Sequence, residues 1–515
     1  MMKSCFYLLL VIFSWEVVVR AGAGPQVTIA NGRIEGTLEE AGVRVFKGIP
    51  YAQPPVDRWR WREPQAVKNW GGVYQADHFG DRAMQPTLWK DMIFRSDKMS
   101  EDCLYLNVWA PAAGKDLPVL VYFHGGGFIA GDGSEPRYDG AAFARRGIIV
   151  VTINYRLGIF GFLAHPALSK ESPHHASGNY GYLDQNAALR WVQANIAAFG
   201  GNPAKVTIGG QSAGAFSVSA HLVSPLSRGL FRGAIAESGS LLGNGALKSL
   251  AEGERAGVGF AAHLGAQSLA DLRRVPSQKL LEASRADALA APQTIIDGYF
   301  LSEQPQEIFF TGRQAEVPLL AGWTTAEVYY HALLKEELPT AENFTRKLRE
   351  LYGPRADEAL KLYPAANDDE ALHSATDLAS DRFLGYRTWK LVDEAWKSGG
   401  QPVYRYLWAQ VPPPPKDAPG TPRPPGAAHS SELPYAFGAL NLIQTCDWTP
   451  ADYRASDVLQ SFFANFIKTG NPNGANLPFW PWFQASVPKV MVITASPHTI
   501  SEPKRQRYQF LDSLP

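Results

Sequence analysis

The sequence predicts an α/β protein with a large, mostly parallel central sheet flanked by helices. From Leu117 onward, short apolar runs alternate with helical stretches such as 184–199. Continuous Val, Ile and Leu runs are typical of strands buried on both faces, and helices between them indicate parallel crossovers. The strand candidates are 119–123, 148–153, 206–209, 233–236, 317–321 and 403–407.

The amino-acid composition indicates a globular protein and argues against nucleic-acid binding and a membrane span. The chain has 515 residues, 45% of them hydrophobic and 12% aromatic, which is enough for a large buried core. Its formal net charge is zero and it has no basic run, so we expect no nucleic-acid partner. No run of about eighteen apolar residues follows the amino terminus, so we expect no stable membrane span.

The first 23 residues are interpreted as a signal peptide. Lys3 precedes an apolar stretch over 6–15, and Ala21-Gly-Ala23 is an A-x-A cleavage site. Glu16 and Arg20 interrupt the apolar run, which makes a spanning anchor the weaker alternative. We therefore expect cleavage after Ala23, a secreted or periplasmic protein, and a single domain over 24–515.

The most informative pattern is Gly210-x-Ser212-x-Gly214. It follows an apolar strand and precedes residues that favour a helix. This is the nucleophile elbow, a sharp strand-to-helix turn that exposes a serine hydroxyl. Side chains at the two glycine positions would collide with the tight backbone. Ser212 is the candidate nucleophile.

A second glycine pattern predicts an oxyanion hole. The strand at 119–123 runs into His124 and then into three glycines, 125–127. Backbone N–H groups at such glycines can approach a reacting carbonyl closely. We expect the donors to be the N–H groups of Gly126, Gly127 and Ala213. His124 itself is expected to be structural.

The serine needs a base to take its proton. In this architecture the histidine follows both serine and acid in chain order. Of the 11 histidines, this order leaves His429 and His498. His429 lies in a loop of small residues after a proline-rich segment, 411–426, which predicts a stiff surface loop. We favour His429 over His498.

The orienting acid is expected just after a strand between Ser212 and His429. Glu327 lies one short loop beyond the strand candidate 317–321, and Asp381 is the rival. Because functional side chains cluster at the carboxyl ends of parallel strands, we favour Glu327. No cluster has metal-ligand spacing, so neither a metal nor an organic cofactor is expected.

Cysteine usage leaves one possible disulfide in the mature chain. Cys5 departs with the signal peptide, and only Cys103 and Cys446 remain. An oxidising compartment permits a bond between them without requiring it.

These residues resemble the type-B carboxylesterase/lipase family, which includes the cholinesterases. The segment 46–55, F-K-G-I-P-Y-A-Q-P-P, resembles one family signature, and 100–107, S-E-D-C-L-Y-L-N, resembles a second, very specific one. The segments 31–36, 179–192, 199–203 and 237–240 fit as well, so the likeness covers most of the mature chain.

The resemblance implies an α/β-hydrolase fold with long insertions into one domain. It also implies a Ser–Glu–His triad, which by position is Ser212, Glu327 and His429. The expected activity is hydrolysis of small carboxylic esters through an acyl-enzyme. Candidate pocket residues are Phe128, Gln211, Leu241, Leu242, Trp323 and Phe383.

The chain departs from the family pattern at three places. The usual cysteine partner upstream of Cys103 is absent, so Cys103 is expected to be a free, buried thiol. The acid motif has Thr324 and Val328 where asparagine and glycine are usual. Gln211 replaces the usual glutamate before the serine, which predicts poor adaptation to cationic choline esters. Trp89 lies in the loop of the cholinesterase choline-binding tryptophan, at a different spacing.

Two alternatives stay open. The segments 162–173 and 177–181 resemble bacterial members, including esterases of fumonisin-type side chains, so a bulky or polycarboxylate ester is one candidate substrate. The family also contains catalytically inactive adhesion proteins. These lack the serine, whereas this chain has serine, acid, histidine and glycines, so the inactive alternative is the weaker one.

Overall fold

An eleven-stranded sheet forms the centre of the computed structural model, which describes residues 24–89, 91–243, 245–417, 420 and 422–514. The predicted signal peptide therefore lies outside the described residues. In chain order the strands are β1 Thr37–Leu38, β2 Arg44–Pro50, β3 Tyr105–Ala110, β4 Leu117–Phe123, β5 Ile149–Ile153, β6 Gly201–Gln211, β7 Gly233–Glu237, β8 Leu319–Thr324, β9 Val403–Trp408, β10 Lys489–Ile493 and β11 His498–Ser501.

The sheet has the spatial order β11-β10-β9-β8-β7-β6-β4-β5-β3-β2-β1. Neighbouring strands from β10 to β5 are parallel, whereas β11 and the strands β3, β2 and β1 pair antiparallel at the two edges. All six strand candidates from the sequence belong to the parallel centre. The prediction of a mostly parallel sheet is confirmed, while the antiparallel edges were not predicted.

Helices cover both faces of this sheet. Those of eight or more residues are α1 Tyr180–Asn195, α2 Ala213–Val223, α3 Leu250–His263, α4 Ser277–Ala286, α5 Ala341–Tyr352, α6 Asp368–Ser380, α7 Tyr386–Lys397, α8 Pro450–Thr469 and α9 Arg505–Asp512. Shorter helices are Ala141–Arg145, Gly158–Phe162, Pro166–Glu171, Leu269–Arg274, Pro305–Phe310, His331–Leu334, Ala356–Leu362 and Leu433–Ala436. A π-helical turn, Asp381–Gly385, joins α6 to α7.

Short strands outside the main sheet complete the set. Gln26–Ile29, Gly32–Glu35 and Val73–Gln75 form a small three-stranded sheet. Two further pairs join Arg82–Ala83 to Met99–Ser100 and Lys248–Ser249 to Ile295–Ile296.

Alternate residues of the central strands pack into two different cores. In β4, Val121 and Phe123 belong to one hydrophobic cluster, whereas Leu120 and Tyr122 belong to the cluster on the opposite face. This follows from the two-residue period of a strand and explains why the run is apolar without interruption. A third cluster, made mainly by α5, α6, α7 and α9, lies beside the sheet.

Helix α8 shows how local sequence sets an element's limits. Thr449 and Asp452 form a reciprocal capping box, and Pro450 occupies the first helical position. Gly470 ends the helix at φ = 77°, a conformation that glycine adopts without strain. Within the described parts of the chain, every helix falls short of the length and apolarity that a bilayer crossing requires.

Candidate active site

Ser212 lies in the turn between β6 and α2. Its backbone has φ = 57° and ψ = −122°, a strained combination for a residue with a side chain. A Cβ added at Gly210 would collide with the backbone of Gly214, and one at Gly214 would collide with the carbonyl oxygen of Phe123. The turn therefore needs both glycines, as the pattern predicts.

Three more non-glycine residues around this turn also have positive φ. They are Phe128 at 59°, Ser238 at 53° and Ser430 at 66°. Ser212 N–H donates to the carbonyl oxygen of Glu237 at 2.8 Å, which fixes the elbow against β7. Clustered backbone strain of this kind is typical of functional sites.

Glu327 and His429 meet directly, with 2.5 Å between Glu327 Oε2 and His429 Nδ1. The other carboxylate oxygen of Glu327 accepts hydrogen bonds from Ser238 Oγ at 2.6 Å and from Thr324 N at 2.8 Å. The Glu327 side chain is fully buried, whereas that of His429 is 22% exposed. The carboxylate is thus held in one orientation, and the imidazole reaches the solvent-accessible side.

Backbone pairing brings the two loops together. Ala326 N donates to the carbonyl oxygen of Ala427 at 2.9 Å, and Ala427 N donates to Thr325 Oγ1 at 2.9 Å. His429 N then donates to the carbonyl oxygen of Glu327 at 3.2 Å. The end of the proline-rich segment is therefore joined to the loop after β8, which places the histidine beside the acid.

The electrostatics of His429 suit a base. Burial lowers the pKa of His429, but the adjacent Glu327 carboxylate outweighs burial and raises the pKa above its usual 6.5. A hydrogen bond to Glu327 requires the proton on Nδ1 of the neutral ring, which leaves a lone pair on Nε2. That nitrogen is the one able to take a proton from a serine.

Among the described residues, the side-chain amide of Gln211 is the hydrogen-bond partner of His429 Nε2. Its amide nitrogen lies 3.2 Å from Nε2 and 3.0 Å from Ser430 Oγ. No hydrogen bond joins Ser212 Oγ to His429 within the described part of the chain. The structure thus brings the histidine to the elbow, next to Ser212, with the neighbouring amide occupying its lone pair.

The glycine loop lies against the same turn, because a Cβ at Gly125 would lie 3.2 Å from Ser212 Cβ. Gly126 has φ = 103° and Gly127 has φ = 63°. Across the described residues, the N–H groups of Gly126, Gly127 and Ala213 have no recorded hydrogen-bond acceptor. Three unpaired backbone donors near a serine hydroxyl are the arrangement that stabilises a tetrahedral oxyanion.

Trp89 and Met92 lie over these glycines. Trp89 Cη2 is 4.0 Å from the place of a Cβ at Gly127, and Met92 Cε is 3.0 Å from that place at Gly126. The Trp89 side chain is exposed. The sequence analysis placed Trp89 only in the loop of the cholinesterase choline-binding tryptophan, and it gave Met92 no role.

His124 supports the glycine loop from behind. It is buried, its ring stacks on Tyr155 at 4.4 Å, and its Nδ1 lies 2.9 Å from the carbonyl oxygen of Gly125. Burial lowers its pKa to about 4, so the ring is neutral at pH 7. This placement agrees with the expected structural role.

The two rival residues lie elsewhere. Asp381 is buried and accepts a hydrogen bond from Tyr363 Oη at 3.0 Å, beside α9 rather than His429. His498 is an exposed residue of the edge strand β11. Neither has a recorded contact with Ser212 in the described residues.

Two further buried carboxyl groups lie behind the triad. Glu237 accepts a hydrogen bond from Tyr122 Oη at 2.8 Å, and burial raises its pKa to about 7. Burial also raises the pKa of Glu432 well above its usual value, with the charges of Glu237 and Glu327 adding to the effect. Burial and these neighbouring charges therefore favour the protonated form of Glu432, which limits negative charge near Glu327.

The six pocket candidates separate into two groups. Gln211 contacts His429 directly, and the Phe383 ring lies edge-on to His429 with 5.5 Å between ring centroids. The other four are buried and are core residues in the structure. Phe128 packs against three aromatic rings, Trp323 packs edge-on to Tyr508, and Leu241 and Leu242 belong to the main cluster.

Sequence reasoning missed two serines that contact Glu327 and Gln211. Ser238 anchors Glu327, and Ser430 shares the Gln211 amide. Ser238 lies in the family-like segment 237–240, and Ser430 is the residue after the base. The sequence shows both serines next to predicted site residues or motifs, but it assigned neither of them a role.

Cys103 is a free, buried thiol, as expected, and Cys446 is also free. The described residues contain no group of three or more His, Cys, Asp or Glu side chains able to hold a metal ion.

Comparison with known proteins finds similar proteins along most of the chain. The model of the carboxylesterase family matches residues 23–511. The chain is 36% identical over 468 residues to the fumonisin B1 esterase of Sphingopyxis macrogoltabida, covering 88% of this chain and 84% of that protein. It is 35% identical over 506 residues to the para-nitrobenzyl esterase of Bacillus subtilis (strain 168), covering 94% of this chain and 98% of that protein.

A solved structure of a PNB esterase superposes on 95% of this chain and 99% of its own, with a TM-score of 0.81 and 32% identity. These likenesses confirm the predicted α/β-hydrolase fold and the predicted resemblance.

Proposed function

Since this chain belongs to the carboxylesterase family and is a carboxylic ester hydrolase, we propose that Ser212, His429 and Glu327 are its catalytic triad. The observation that carries the proposal is the 2.5 Å contact between Glu327 and His429 beside a strained serine turn. A nucleophile, a base and an orienting acid are the parts that acyl transfer requires.

The reaction proceeds in two half-reactions. Ser212 Oγ attacks the ester carbonyl carbon while His429 Nε2 takes the hydroxyl proton. The tetrahedral oxyanion accepts hydrogen bonds from the N–H groups of Gly126, Gly127 and Ala213. Collapse of this intermediate breaks the ester bond, and His429 returns the proton to the departing alcohol.

Hydrolysis of the acyl-enzyme repeats these roles with water. His429 takes a proton from water, the resulting hydroxide adds to the acyl carbon, and Ser212 leaves with the proton. Glu327 keeps the imidazole in one tautomer and stabilises the imidazolium that forms in each half. Gln211 must release Nε2 as the serine proton arrives, because one lone pair cannot accept two protons.

Replacement of the nucleophile tests the mechanism. Ser212→Ala is expected to lower kcat for para-nitrophenyl butyrate by about 10⁶, as loss of the serine in such triads does. A fluorescent alkyl fluorophosphonate, which loses fluoride when the serine oxygen bonds to phosphorus, should label the wild-type protein at Ser212 and leave Ser212→Ala unlabelled.

A matched control separates the site from the rest of the chain. Ser217→Ala removes another hydroxyl on α2, one that donates to the carbonyl oxygen of Ala213 at 3.0 Å, and should keep labelling. Retention of most activity in Ser212→Ala would reject the mechanism. Absence of labelling in the wild-type protein would favour the inactive binding-protein alternative.

A second candidate substrate is a bulky or polycarboxylate ester of the fumonisin type. The likeness that favours it is the 36% identity with the fumonisin B1 esterase of Sphingopyxis macrogoltabida. Hydrolysis of fumonisin B1 itself, measured beside short para-nitrophenyl esters, compares the two candidates.

We also propose that the protein is exported and cleaved after Ala23. The pattern of Lys3, the apolar stretch and Ala21-Gly-Ala23 supports a signal peptide. Gly24 N lies 2.8 Å from Glu35 Oε1, so cleavage at this bond places the new α-ammonium beside a carboxylate. The described chain from 24 onward is proposed to be one domain.

A further inference from the structure

Among the described residues, Arg387 is a cation without a counter-charge. It lies in α7 and is half-buried. Among the described residues, no carboxylate lies within ion-pair distance of its guanidinium, and no hydrogen bond from that group is recorded. By contrast Lys390, one turn further along α7, pairs with Glu394 at 3.1 Å and with Asp512 at 2.8 Å.

The surroundings of Arg387 are apolar or close-packed. Its guanidinium carbon lies 5.7 Å from the centre of the Phe216 ring. Its Nη1 lies 2.9 Å from the place that a Cβ would occupy at Gly243, so a side chain at that position would collide with it. Burial lowers the pKa of Arg387, yet an arginine stays protonated at pH 7.

The first path to the reacting serine runs along α2. Phe216 lies one helical turn after Ser212 in the chain. Its N–H donates to the carbonyl oxygen of Ser212 at 3.0 Å. Residues four apart lie on one face of a helix, so Phe216 places Arg387 on the side of the helix that carries the nucleophile.

A second connection leads from Arg387 in α7 to His429 through the π-helical turn before α7. Phe383 lies four residues before Arg387 and contacts the ring of His429. Phe383 belongs to the π-helical turn and Arg387 to the first turn of α7, so the two residues lie about one helical turn apart. One aromatic residue therefore lies between Arg387 and each of the two reacting residues, Phe216 on the side of Ser212 and Phe383 on the side of His429.

An unpaired, partly desolvated charge destabilises the folded chain unless an anion or a π-face compensates it. The Phe216 ring supplies part of this compensation. The fork of N–H donors on a guanidinium matches the two oxygens of a carboxylate, which can accept two parallel hydrogen bonds. A carboxylate on the substrate would supply such an anion at this place.

We propose that Arg387 binds a carboxylate carried by the ester substrate, so that the preferred substrates are esters with an additional anionic group. The inference rests on the proposed function, because the position of Arg387 matters only if Ser212 is the reacting residue. It makes Arg387 a specificity-determining residue and assigns it no part in bond making or breaking.

Matched pairs of chromogenic esters test the proposal. On the acyl side, mono-para-nitrophenyl glutarate is compared with para-nitrophenyl valerate, which has a methyl group in place of the carboxylate. On the alcohol side, para-acetoxybenzoate is compared with para-tolyl acetate. The side on which the wild-type protein prefers the anionic member identifies which part of the substrate faces Arg387.

Arg387→Met is expected to lower kcat/KM for the preferred anionic ester by about 10- to 100-fold, the usual range for a charge-assisted hydrogen-bonded pair. Its kcat/KM for the neutral partner should stay within about threefold. Arg387→Lys keeps the charge without the fork and should retain an intermediate preference. Arg382→Met, on the exposed preceding turn, is the control and should behave as the wild type.

Binding provides a measurement that does not depend on turnover. Free glutarate should inhibit hydrolysis of the neutral ester competitively, and this inhibition should weaken in Arg387→Lys if Arg387→Met fails to fold.

Equal loss of both esters in Arg387→Met, or a wild-type protein that prefers the neutral ester on both sides, would overturn the inference while leaving the esterase mechanism intact. A wild-type protein inactive on every ester would reject the proposed function instead.

Discussion

The contact between Gln211 and His429 is the residue-scale feature that bears on the pH dependence of this site. The Gln211 amide donates toward Nε2 at 3.2 Å, whereas a glutamate carboxylate at this position would have no proton to donate. A neutral amide stabilises the neutral imidazole, whereas a carboxylate stabilises the imidazolium. Glu327 raises the pKa of His429, and an N–H donor at Nε2 favours the opposite, neutral form of the ring.

Gln211→Glu is expected to move the acidic limb of the pH profile of kcat/KM upward by about one unit. The reason is that an added negative charge within about 4–6 Å favours protonated His429, and only the neutral ring acts as the base. Activity already rises with pH through a His429 pKa above 6.5, so the variant should lose activity near pH 7 and recover it at higher pH.

Gln211→Met serves as the control for this shift. It removes the amide contacts without adding charge, so its acidic limb should not move upward. The added carboxylate should also raise the selectivity of Gln211→Glu for butyrylthiocholine over para-nitrophenyl butyrate. An acidic limb that stays in place in Gln211→Glu would contradict the assigned role of the amide.

At the scale of elements, the site depends on one strand-turn-helix unit and one interrupted helix. Strand β6 delivers Ser212 at the carboxyl edge of the sheet, and α2 starts immediately after it. The π-helical turn Asp381–Gly385 interrupts the run from α6 to α7 and carries Phe383 toward His429. π-helical turns inside α-helices are frequent at functional sites.

Gly214→Ala is expected to destabilise the protein by about 3 kcal/mol or more, because the new methyl group would collide with the carbonyl oxygen of Phe123 in a rigid strand. Thermal unfolding of the purified variant measures this. Gly233→Ala, at the start of neighbouring β7, is the matched control, since the nearest heavy atom to its Cβ would lie 3.3 Å away. Equal stability of the two variants would contradict a close-packed elbow.

At the scale of the whole molecule, one sheet gathers strands from Thr37 to Ser501. The acid follows β8, the base follows the loop after β9, and the nucleophile follows β6, so three segments far apart in sequence meet at one edge. Helices α5, α6, α7 and α9 form a separate cluster beside the sheet, and α7 supplies Arg387 from it. Under the proposal for Arg387, helices outside the central sheet contribute to substrate selection.

Export is a property of the whole chain and has its own test. When the full chain is expressed with a secretion pathway, amino-terminal sequencing of the exported protein is expected to begin at Gly24. The new α-ammonium would then face Glu35. Ala23→Arg, which disrupts the A-x-A site, should retain an uncleaved precursor. A mature protein that still carries residues 1–23 would show that the segment is an anchor.

The sequence by itself determined the parts of this protein that are local in the chain. The parallel strands, the elbow at Ser212 and the glycine loop at 125–127 are contiguous patterns whose backbone requirements can be read from neighbouring residues. Chain order and strand ends also identified Glu327 and His429. The antiparallel edge strands were missed because short half-exposed strands lack a continuous apolar run.

Only the tertiary structure decided the contacts between distant segments. The anchoring of Glu327 by Ser238, the Gln211 amide on His429, and the core positions of Phe128 and Trp323 depend on which faces of separate elements meet. The lack of a charged partner for Arg387 among the described residues likewise depends on which separate elements meet. A missing partner can be recognised only when all its neighbours are in place, because charge compensation acts through space rather than along the chain.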